Sequence, residues 1–208
     1  MAEDKSGWRR LLSHPLVYEA AQYIVGAKRS LRLVLDRHAR PQLGERVLDI
    51  GCGPAEILRF LPPVDYVGID ASNAYIARAR ATFGSTNARF HCGRVADAIG
   101  AGLGPFDLAL AIGVLHHIDD GEARELFRDA YQALAPGGRL ITADPCYFDG
   151  QSPLRRFIIQ QDRGRNVRRI EEYETLARDS FSCASAKLIQ PFPHCVCVIE
   201  CRKPVETS

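Results

Sequence analysis

The sequence has no long hydrophobic run. Its longest apolar stretch, Leu108 to Leu115, contains Gly113 and is far shorter than the roughly 20 residues that span a bilayer. The first ten residues, MAEDKSGWRR, are polar and lack the apolar core of a secretory signal. We therefore expect a cytoplasmic protein with no membrane partner.

The chain also has little net charge. Its 27 basic and 25 acidic residues leave a formal charge of +2, so charge gives no reason to expect a nucleic-acid partner. A length of 208 residues and a hydrophobic content of 46% are typical of one globular domain without repeats or linkers. A small-molecule partner is favoured over a long polyanion, and homodimer formation stays open.

The cysteines lack the spacing of a structural zinc site. Seven cysteines, an odd number, in a chain without a signal peptide indicate free thiols in a reducing compartment. Cys195, Cys197 and Cys201 lie in an apparent strand whose period of two places them on one face. A lone C-x-C has no second pair of ligands, so we interpret them as small buried hydrophobes and predict no metal.

A third glycine is missing from the most informative stretch of the sequence, VLDIGCGPAE at 47–56. The stretch predicts a buried strand, a glycine turn and then a helix. Dinucleotide-binding proteins place a pyrophosphate at such a turn and need the third glycine, but Glu56 stands there and would repel a phosphate. Asp49 ends the strand, where a ligand ammonium fits better. A ligand with a nucleoside at one end and an amino acid at the other satisfies both carboxylates, and S-adenosylmethionine is such a molecule.

The same stretch resembles the first motif of the class I S-adenosylmethionine-dependent methyltransferases, D/E-x-G-x-G-x-G. Asp49, Gly51 and Gly53 match this motif. Ala55 replaces its last glycine and leaves room for only one extra methyl group at the expected closest approach to the cofactor. A tight turn in some other Rossmann-like domain is the alternative, because short glycine motifs are weak signals.

Strands and helices alternate after residue 45, which predicts an α/β fold with a Rossmann-like, mostly parallel sheet covered by helices on both faces. The clearest helix begins at Asp119 or Asp120 and stops before Pro136, and another follows Ser72 and reaches about Phe83. The seven expected strands are Arg46 to Ile50, Tyr66 to Asp70, Arg89 to Cys92, Asp107 to Ile112, Arg139 to Ala143, Ala186 to Gln190 and Cys195 to Cys201.

We expect one domain with three parts. Residues 1–40 carry an apolar stripe at helical spacing and are expected to form an N-terminal helical lid, although such a stripe could also cover a sheet face. Residues 45–145 are expected to form the cofactor-binding core. Residues 146–208 are expected to supply an acceptor-side insert and the last strands.

Ligands of parallel sheets bind beyond the carboxyl ends of the strands. Asp70 ends the second strand, and the resemblance implies that it binds the ribose hydroxyls; capping of the next helix is the alternative. Related enzymes carry an acidic residue after the third strand that contacts the adenine amino group. Arg94 stands there and cannot accept a hydrogen bond. Asp97, or backbone groups around Val95, could replace that contact.

The run FDLALAIGVLHHI at 106–118 is similar to the segment after the fourth strand of many small-molecule methyltransferases. The resemblance implies that the backbone near Ile112 and Gly113 faces the methionine portion of the cofactor, with support from Leu115. His117 could act as a general base, because a side-chain pKa of about 6.5 lets imidazole accept a proton at neutral pH. A hydrogen bond that holds the loop is the alternative.

The segment from Gln151 to Arg169 is too long for a plain connector and contains six arginines. Arginines paired in a cleft suit a carboxylate or phosphate, whereas arginines balanced by nearby acids form a solvated helix face. The Pro145-Cys146 pair resembles the nucleophile dipeptide of RNA cytosine methyltransferases but follows the wrong strand, which argues against a nucleophilic cysteine. The residues expected to line the acceptor pocket are Tyr18, Tyr23, Tyr147, Arg155, Arg163 and Arg165, with His117 beside them.

The sequence therefore predicts an S-adenosylmethionine-dependent methyltransferase that acts on an oxygen, nitrogen or carbon atom of a small molecule, with an anionic acceptor as one option. Methyl transfer needs little from the protein, because the sulfonium is already activated. Two alternatives stay open. One is a non-catalytic S-adenosylmethionine-binding regulatory protein. The other, less favoured, is a nicotinamide-dependent oxidoreductase, which would need the pyrophosphate turn that Glu56 disfavours.

Overall fold

An eight-stranded sheet organises the computed structural model, which describes residues 28–160, 164–191 and 194–205. Seven strands lie in the order β3-β2-β1-β4-β5-β8-β7, and the short β6 pairs with β5. Strand β8 pairs antiparallel with both β5 and β7, and the other pairings among the described strands are parallel. The strands are β1 Arg46–Ile50, β2 Asp65–Asp70, β3 Arg89–Cys92, β4 Phe106–Ile112, β5 Leu134–Tyr147, β6 Arg168–Arg169, β7 Cys183–Ile189 and β8 Val196–Arg202.

Helices cover both faces of this sheet. They are α1 Asn73–Phe83, α2 Val95–Gly100, α3 Asp120–Ala133, α4 Pro153–Gln160 and α5 Ile170–Arg178. The caps are those that the sequence predicts: Ser72 Oγ accepts the backbone N–H of Tyr75, and Asp119 forms a capping box with Glu122 at the start of α3. The predicted α/β fold is confirmed.

The core has two halves, one on each sheet face. Phe127 of α3 and Tyr173 of α5 belong to the half that also covers Leu48 and Leu140. The other half packs α1 and an N-terminal helix against the opposite face, with Tyr66 at its centre. Strands buried on both faces explain why β1, β2 and β4 are almost continuously apolar.

The fifth strand is longer than the sequence predicts. The expected strand ended at Ala143, but β5 continues to Tyr147 because β8 pairs with it as far as Pro145 and β6 pairs with Cys146 and Tyr147. Its start also lies before the expected Arg139, with a register irregularity opposite β4. Asp144 is therefore a strand residue with an enforced orientation.

The predicted N-terminal lid lies mostly outside the described residues. Its described end is a helix at 28–34 that continues as a π-helical turn, Leu35–Ala39. Val34, Leu35 and Ala39 are buried in the core half around Tyr66. This part covers a sheet face, which is the alternative that the apolar stripe left open.

None of the helices within the described ranges is long and apolar enough to cross a membrane. Cys195, Cys197 and Cys201 are buried free thiols, as expected of small hydrophobes in the sheet.

Candidate cofactor site

A cavity of about 240 Å³ opens at the carboxyl ends of β1, β2 and β3, beside the turn after β4. This is the edge at which parallel sheets bind ligands, next to the point where the strand order reverses between β1 and β4. Its apolar walls are Ile50, Ile69, Val95, Val114, Ile118 and Leu126. Its charged lining is Asp70, Arg94, Glu122, Glu125 and Asp129.

The glycine turn after β1 forms one wall of this cavity. The backbone N–H groups of Gly51 and Cys52 both donate to the carbonyl of Ile69, at 2.8 and 3.0 Å. Gly51 has φ +68°, and a Cβ there would lie 2.6 Å from a methyl carbon of Val114. The position therefore requires glycine on both conformational and steric grounds.

Ala55, which replaces the last glycine of the motif, does not narrow the cavity. Its backbone is left-handed, with φ +59°, and its methyl group is completely buried in the core half around Tyr66. The cost of this replacement is backbone strain of about 1 kcal/mol. The Ala55 methyl group therefore lies in the core rather than in the cavity lining.

Glu56 does not face the cavity either. It begins a short 3₁₀ helix, Glu56–Phe60, and is paired with Arg59 at 2.7 Å near the surface. The charge argument against a pyrophosphate nevertheless stands on other residues, because four carboxylates line the cavity against one guanidinium. An uncharged nucleoside fits such a lining better than a diphosphate does.

Asp70 joins the two turns that surround the cavity. Oδ2 accepts the backbone N–H of Gly53 at 2.9 Å, and Oδ1 accepts that of Ser72 at 2.8 Å. Each carboxylate oxygen has a further lone pair, and the side chain lines the cavity. The predicted ribose-binding role and the alternative capping role are therefore compatible in one side chain.

Asp49 lies below the cavity rather than on its wall. Its side chain is buried on the sheet face around Tyr66, whose hydroxyl donates to Oδ2 at 2.5 Å. Burial raises the pKa of the Asp49 carboxyl to about 7, the Tyr66 hydrogen bond opposes the rise, and the charge of Asp70 adds to it. Asp49 and Tyr66 thus form a buried, hydrogen-bonded pair of acidic side chains beneath the glycine turn.

The residues after β3 divide between the cavity and the helix cap. Val95 and Arg94 line the cavity. Asp97 does not: its carboxylate accepts the backbone N–H of Arg94 at 2.7 Å and lies against Gly93, where a Cβ would come within 2.6 Å of it. The arrangement gives Asp97 a capping function and leaves its predicted adenine contact without a place in the cavity lining.

The turn after β4 contributes Val114 to the cavity, whereas the predicted Ile112, Gly113 and Leu115 lie behind it. Gly113 is left-handed, with φ +72°, and its N–H donates to the carbonyl of Ala143. Leu115 begins a 3₁₀ helix, Leu115–His117, and is completely buried. Ile112, Gly113 and Leu115 therefore shape the turn after β4 and do not line the cavity.

Comparison with known proteins agrees with this geometry. Residues 47–138 match the family described as methyltransferase domain. This segment contains the glycine turn, Asp70, the residues after β3 and helix α3, which together form the cavity. The match supports a class I S-adenosylmethionine-dependent methyltransferase domain over these residues.

Two curated methyltransferases are similar to part of the chain. A ribosomal RNA small subunit methyltransferase C of Chromohalobacter salexigens is 29% identical over 136 residues, 63% of this chain and 40% of the relative. A ubiquinone biosynthesis O-methyltransferase of a Caulobacter species is 31% identical over 107 residues, 50% of this chain and 42% of the relative. The chain thus spans about two fifths of the length of either relative.

Solved structures show the same fold. The S-adenosylmethionine-dependent methyltransferase SibL, in its apo form, superposes with a TM-score of 0.71 at 20% identity, over 98% of this chain and 64% of SibL. Such a similarity supports the methyltransferase architecture. The cofactor of this family is S-adenosylmethionine, and the carboxylate-lined cavity beside Asp70 fits its nucleoside.

The histidine pair after β4 divides into a buried and an exposed member. His116 is buried, and Asp144 Oδ1 lies 2.7 Å from its Nδ1 and accepts its backbone N–H at 3.2 Å. His117, the predicted base, is exposed and stacks its ring 3.9 Å from that of His116. Asp144 therefore holds both the ring and the backbone of His116 in the turn after β4. Sequence reasoning missed it because Asp144 was expected outside the strand.

Arg168 is the buried arginine of the insert, and it holds the turn after β4. Nη1 donates to the carbonyl of Leu115 at 2.6 Å, Nη2 to that of Ile118 at 2.8 Å, and Nε to the carboxylate of Asp120 at 2.8 Å. Its side chain is 8% exposed. Nothing in the sequence separates Arg168 from the other five arginines of the segment.

The other described residues of the predicted acceptor pocket make contacts of their own. Arg155 donates to Gln190 at 2.6 Å and to Cys195 Sγ at 3.3 Å, and the guanidinium of Arg156 lies over the ring of Tyr147. Arg165 is exposed. Tyr18, Tyr23 and Arg163 lie outside the described residues.

Cys146 is also unsuited to the nucleophile role that the sequence argued against. It is completely buried, and burial raises the pKa of its thiol to about 12. It therefore stays protonated at neutral pH.

The buried Asp49 carboxyl makes stability depend on pH. Because its pKa is raised in the folded protein, charging it opposes folding increasingly as pH rises from about 4 to about 7. The free energy of unfolding of the wild type relative to Asp49→Asn should fall by roughly 3 to 4 kcal/mol across that window and then level off. Urea unfolding of the cofactor-free proteins at several pH values measures this.

Tyr66→Phe provides the matched second variant for Asp49. Tyr66→Phe removes a hydrogen bond that lowers the Asp49 pKa. In this background the pH-dependent fall in the free energy of unfolding should therefore extend to higher pH. A difference between wild type and Asp49→Asn that does not change with pH would contradict the buried-acid interpretation.

The Arg168 contacts predict a contrast between adjacent arginines. Arg168→Met should lower the free energy of unfolding by about 3 kcal/mol, because the carbonyls of Leu115 and Ile118 lose their guanidinium donor and Asp120 loses its ion-pair partner. It should also weaken cofactor binding by loosening the turn. Arg169→Met, which removes an exposed partner of Asp149, should change neither quantity. Urea unfolding and calorimetry compare them, and equal effects of the two substitutions would show that Arg168 does not brace the turn.

Proposed function

We propose that the chain transfers a methyl group from S-adenosylmethionine to an oxygen, nitrogen or carbon atom of a small molecule. The observation that carries the proposal is the cavity beside the glycine turn, which combines apolar walls with a carboxylate at the ribose position. The bound sulfonium supplies an activated methyl group. What the protein has to add is orientation of the acceptor and exclusion of water.

The insert after β5 supports a compact acceptor over a polyanion. Among its described arginines, Arg155, Arg156, Arg168 and Arg169 are engaged with other groups of the chain. A surface built to bind phosphates would direct such groups outward. Of the described arginines of the insert, Arg165 is exposed and is the candidate to contact an anionic acceptor.

An RNA acceptor is the second candidate, and one observation favours it. The helix at 28–34 and its π-helical continuation place Arg29, Arg32 and Arg37 along an open groove of about 530 Å³ beside the end of β7. A basic groove of this kind could follow a phosphate backbone. The similar Chromohalobacter protein is named as a ribosomal RNA methyltransferase.

A single assay distinguishes these acceptors. The protein is incubated with S-adenosylmethionine and either a panel of phenols, amines and carboxylic acids or deproteinised ribosomal RNA and small subunits, and release of S-adenosylhomocysteine is measured. We expect turnover with one class of small molecule and none with RNA. Turnover with RNA alone would overturn the small-molecule proposal, and cofactor binding without any turnover would favour a regulatory protein.

Cofactor binding itself should depend on Asp70. Asp70→Ala should weaken S-adenosylhomocysteine binding about a hundredfold, because two charge-assisted hydrogen bonds to the ribose are lost. Some loss of stability is also expected, since Gly53 and Ser72 lose their acceptor. Calorimetry measures affinity, and thermal unfolding checks the fold.

The matched control for Asp70 is at the other end of the same strand. Asp65→Ala removes a carboxylate that pairs with Arg46 and Arg89 away from the cavity, and its affinity for S-adenosylhomocysteine should equal that of the wild type. If Asp70→Ala binds as tightly as Asp65→Ala, Asp70 serves as a cap alone.

A further inference from the structure

The cavity contains an ion pair that joins the start of α2 to α3. Arg94, at the start of α2, places Nη1 3.5 Å from Oε2 of Glu125 on α3. Both side chains line the cavity, and Val95 and Leu126 lie beside them in its apolar walls. The pair thus presents one donor group and one acceptor group next to surfaces that suit a flat ring.

Adenine has a complementary edge. Its amino group at position 6 donates a hydrogen bond, and the adjacent ring nitrogen, N1, accepts one. A guanidinium beside a carboxylate supplies the opposite pattern, because arginine only donates and an ionised glutamate only accepts. Hypoxanthine presents the reverse edge, with an acceptor oxygen at position 6 and a donor at N1, so the same pair would oppose it.

The other carboxylates of the cavity are less suited to this contact. Glu122 belongs to the capping box of α3, where Oε2 accepts the N–H of Asp119 at 3.3 Å. Asp129 lies one turn farther along α3 than Glu125 and has no hydrogen bond to Arg94 among the contacts of the described residues. Asp97 caps α2 and does not line the cavity.

We infer that Arg94 and Glu125 form a specificity pair that reads the adenine edge of the cofactor, with Glu125 accepting from the amino group and Arg94 donating to N1. This inference rests on the proposed use of S-adenosylmethionine. The pair is exposed in the structure, with 71% and 55% of the two side chains accessible. A base that enters the cavity would cover it and strengthen its hydrogen bonds by excluding water.

The test compares two ligands that differ only at this edge, S-adenosylhomocysteine and S-inosylhomocysteine. Calorimetry on the full chain should show that the wild type prefers the adenine compound. Glu125→Ala should reduce this preference about tenfold, through weaker binding of S-adenosylhomocysteine, because a hydrogen bond to a charged acceptor is lost. Arg94→Ala should act in the same direction.

The control removes an ion-paired carboxylate from another helix. Glu174→Ala breaks the pair of Glu174 with Arg178 on α5, away from the cavity, and should leave the preference unchanged. An equal loss of affinity for both ligands in Glu125→Ala would overturn the inference, because it would indicate a general charge effect. An unchanged preference for the adenine compound in Glu125→Ala would also overturn it. If Asp129→Asn then reduced that preference, Asp129 would be identified as the acceptor of the amino group.

The two proposals fail in different ways. A wild-type protein that binds neither ligand at millimolar concentration would overturn the proposed function, and the inference with it. A wild type that binds S-adenosylhomocysteine tightly, with no preference over the inosine compound, would overturn the specificity pair alone.

Discussion

The Asp70 carboxylate is the interaction on which the cofactor site depends. One oxygen holds the N–H of Gly53 in the turn after β1, and the other holds the N–H of Ser72 at the start of α1. Two backbone segments that belong to different strands are therefore fixed relative to each other by one side chain. The same side chain lines the cavity that those segments enclose. Structural and ligand-binding roles are combined because parallel neighbours end at the same edge of the sheet.

The second side of the cavity depends on a residue that is distant in sequence. Arg168 donates to the carbonyls of Leu115 and Ile118, so the insert after β5 braces the turn after β4. Asp144 holds the same turn from β5 through His116. Buried carbonyls and a buried imidazole need such partners. The insert after β5 and the cavity are consequently connected through one short 3₁₀ turn.

Particular elements show what sequence reasoning reached. The bounds of β1 and β3, the end of β2, the Ser72 cap and the cap at Asp119, one of two residues expected there, agree with expectation. They follow from local patterns of burial and capping. The extension of β5 to Tyr147 was missed because it depends on pairing with β6 and β8. The position of the Ala55 methyl group could not be read from the sequence, because only the packed structure shows that it lies in the core.

The sequence by itself determined the alternation of strands and helices, the glycine turn, and the carboxylate that ends β2, since periodicity and backbone requirements are properties of neighbouring residues. Only the tertiary structure decided which charged groups face the cavity. Glu56 and Asp97 turn away from it, whereas Glu122, Glu125 and Asp129 enter it from α3. The physical reason is that the docking angle of a helix against the sheet selects which of its polar side chains meet a cavity, and that angle is set by packing between residues far apart in the chain.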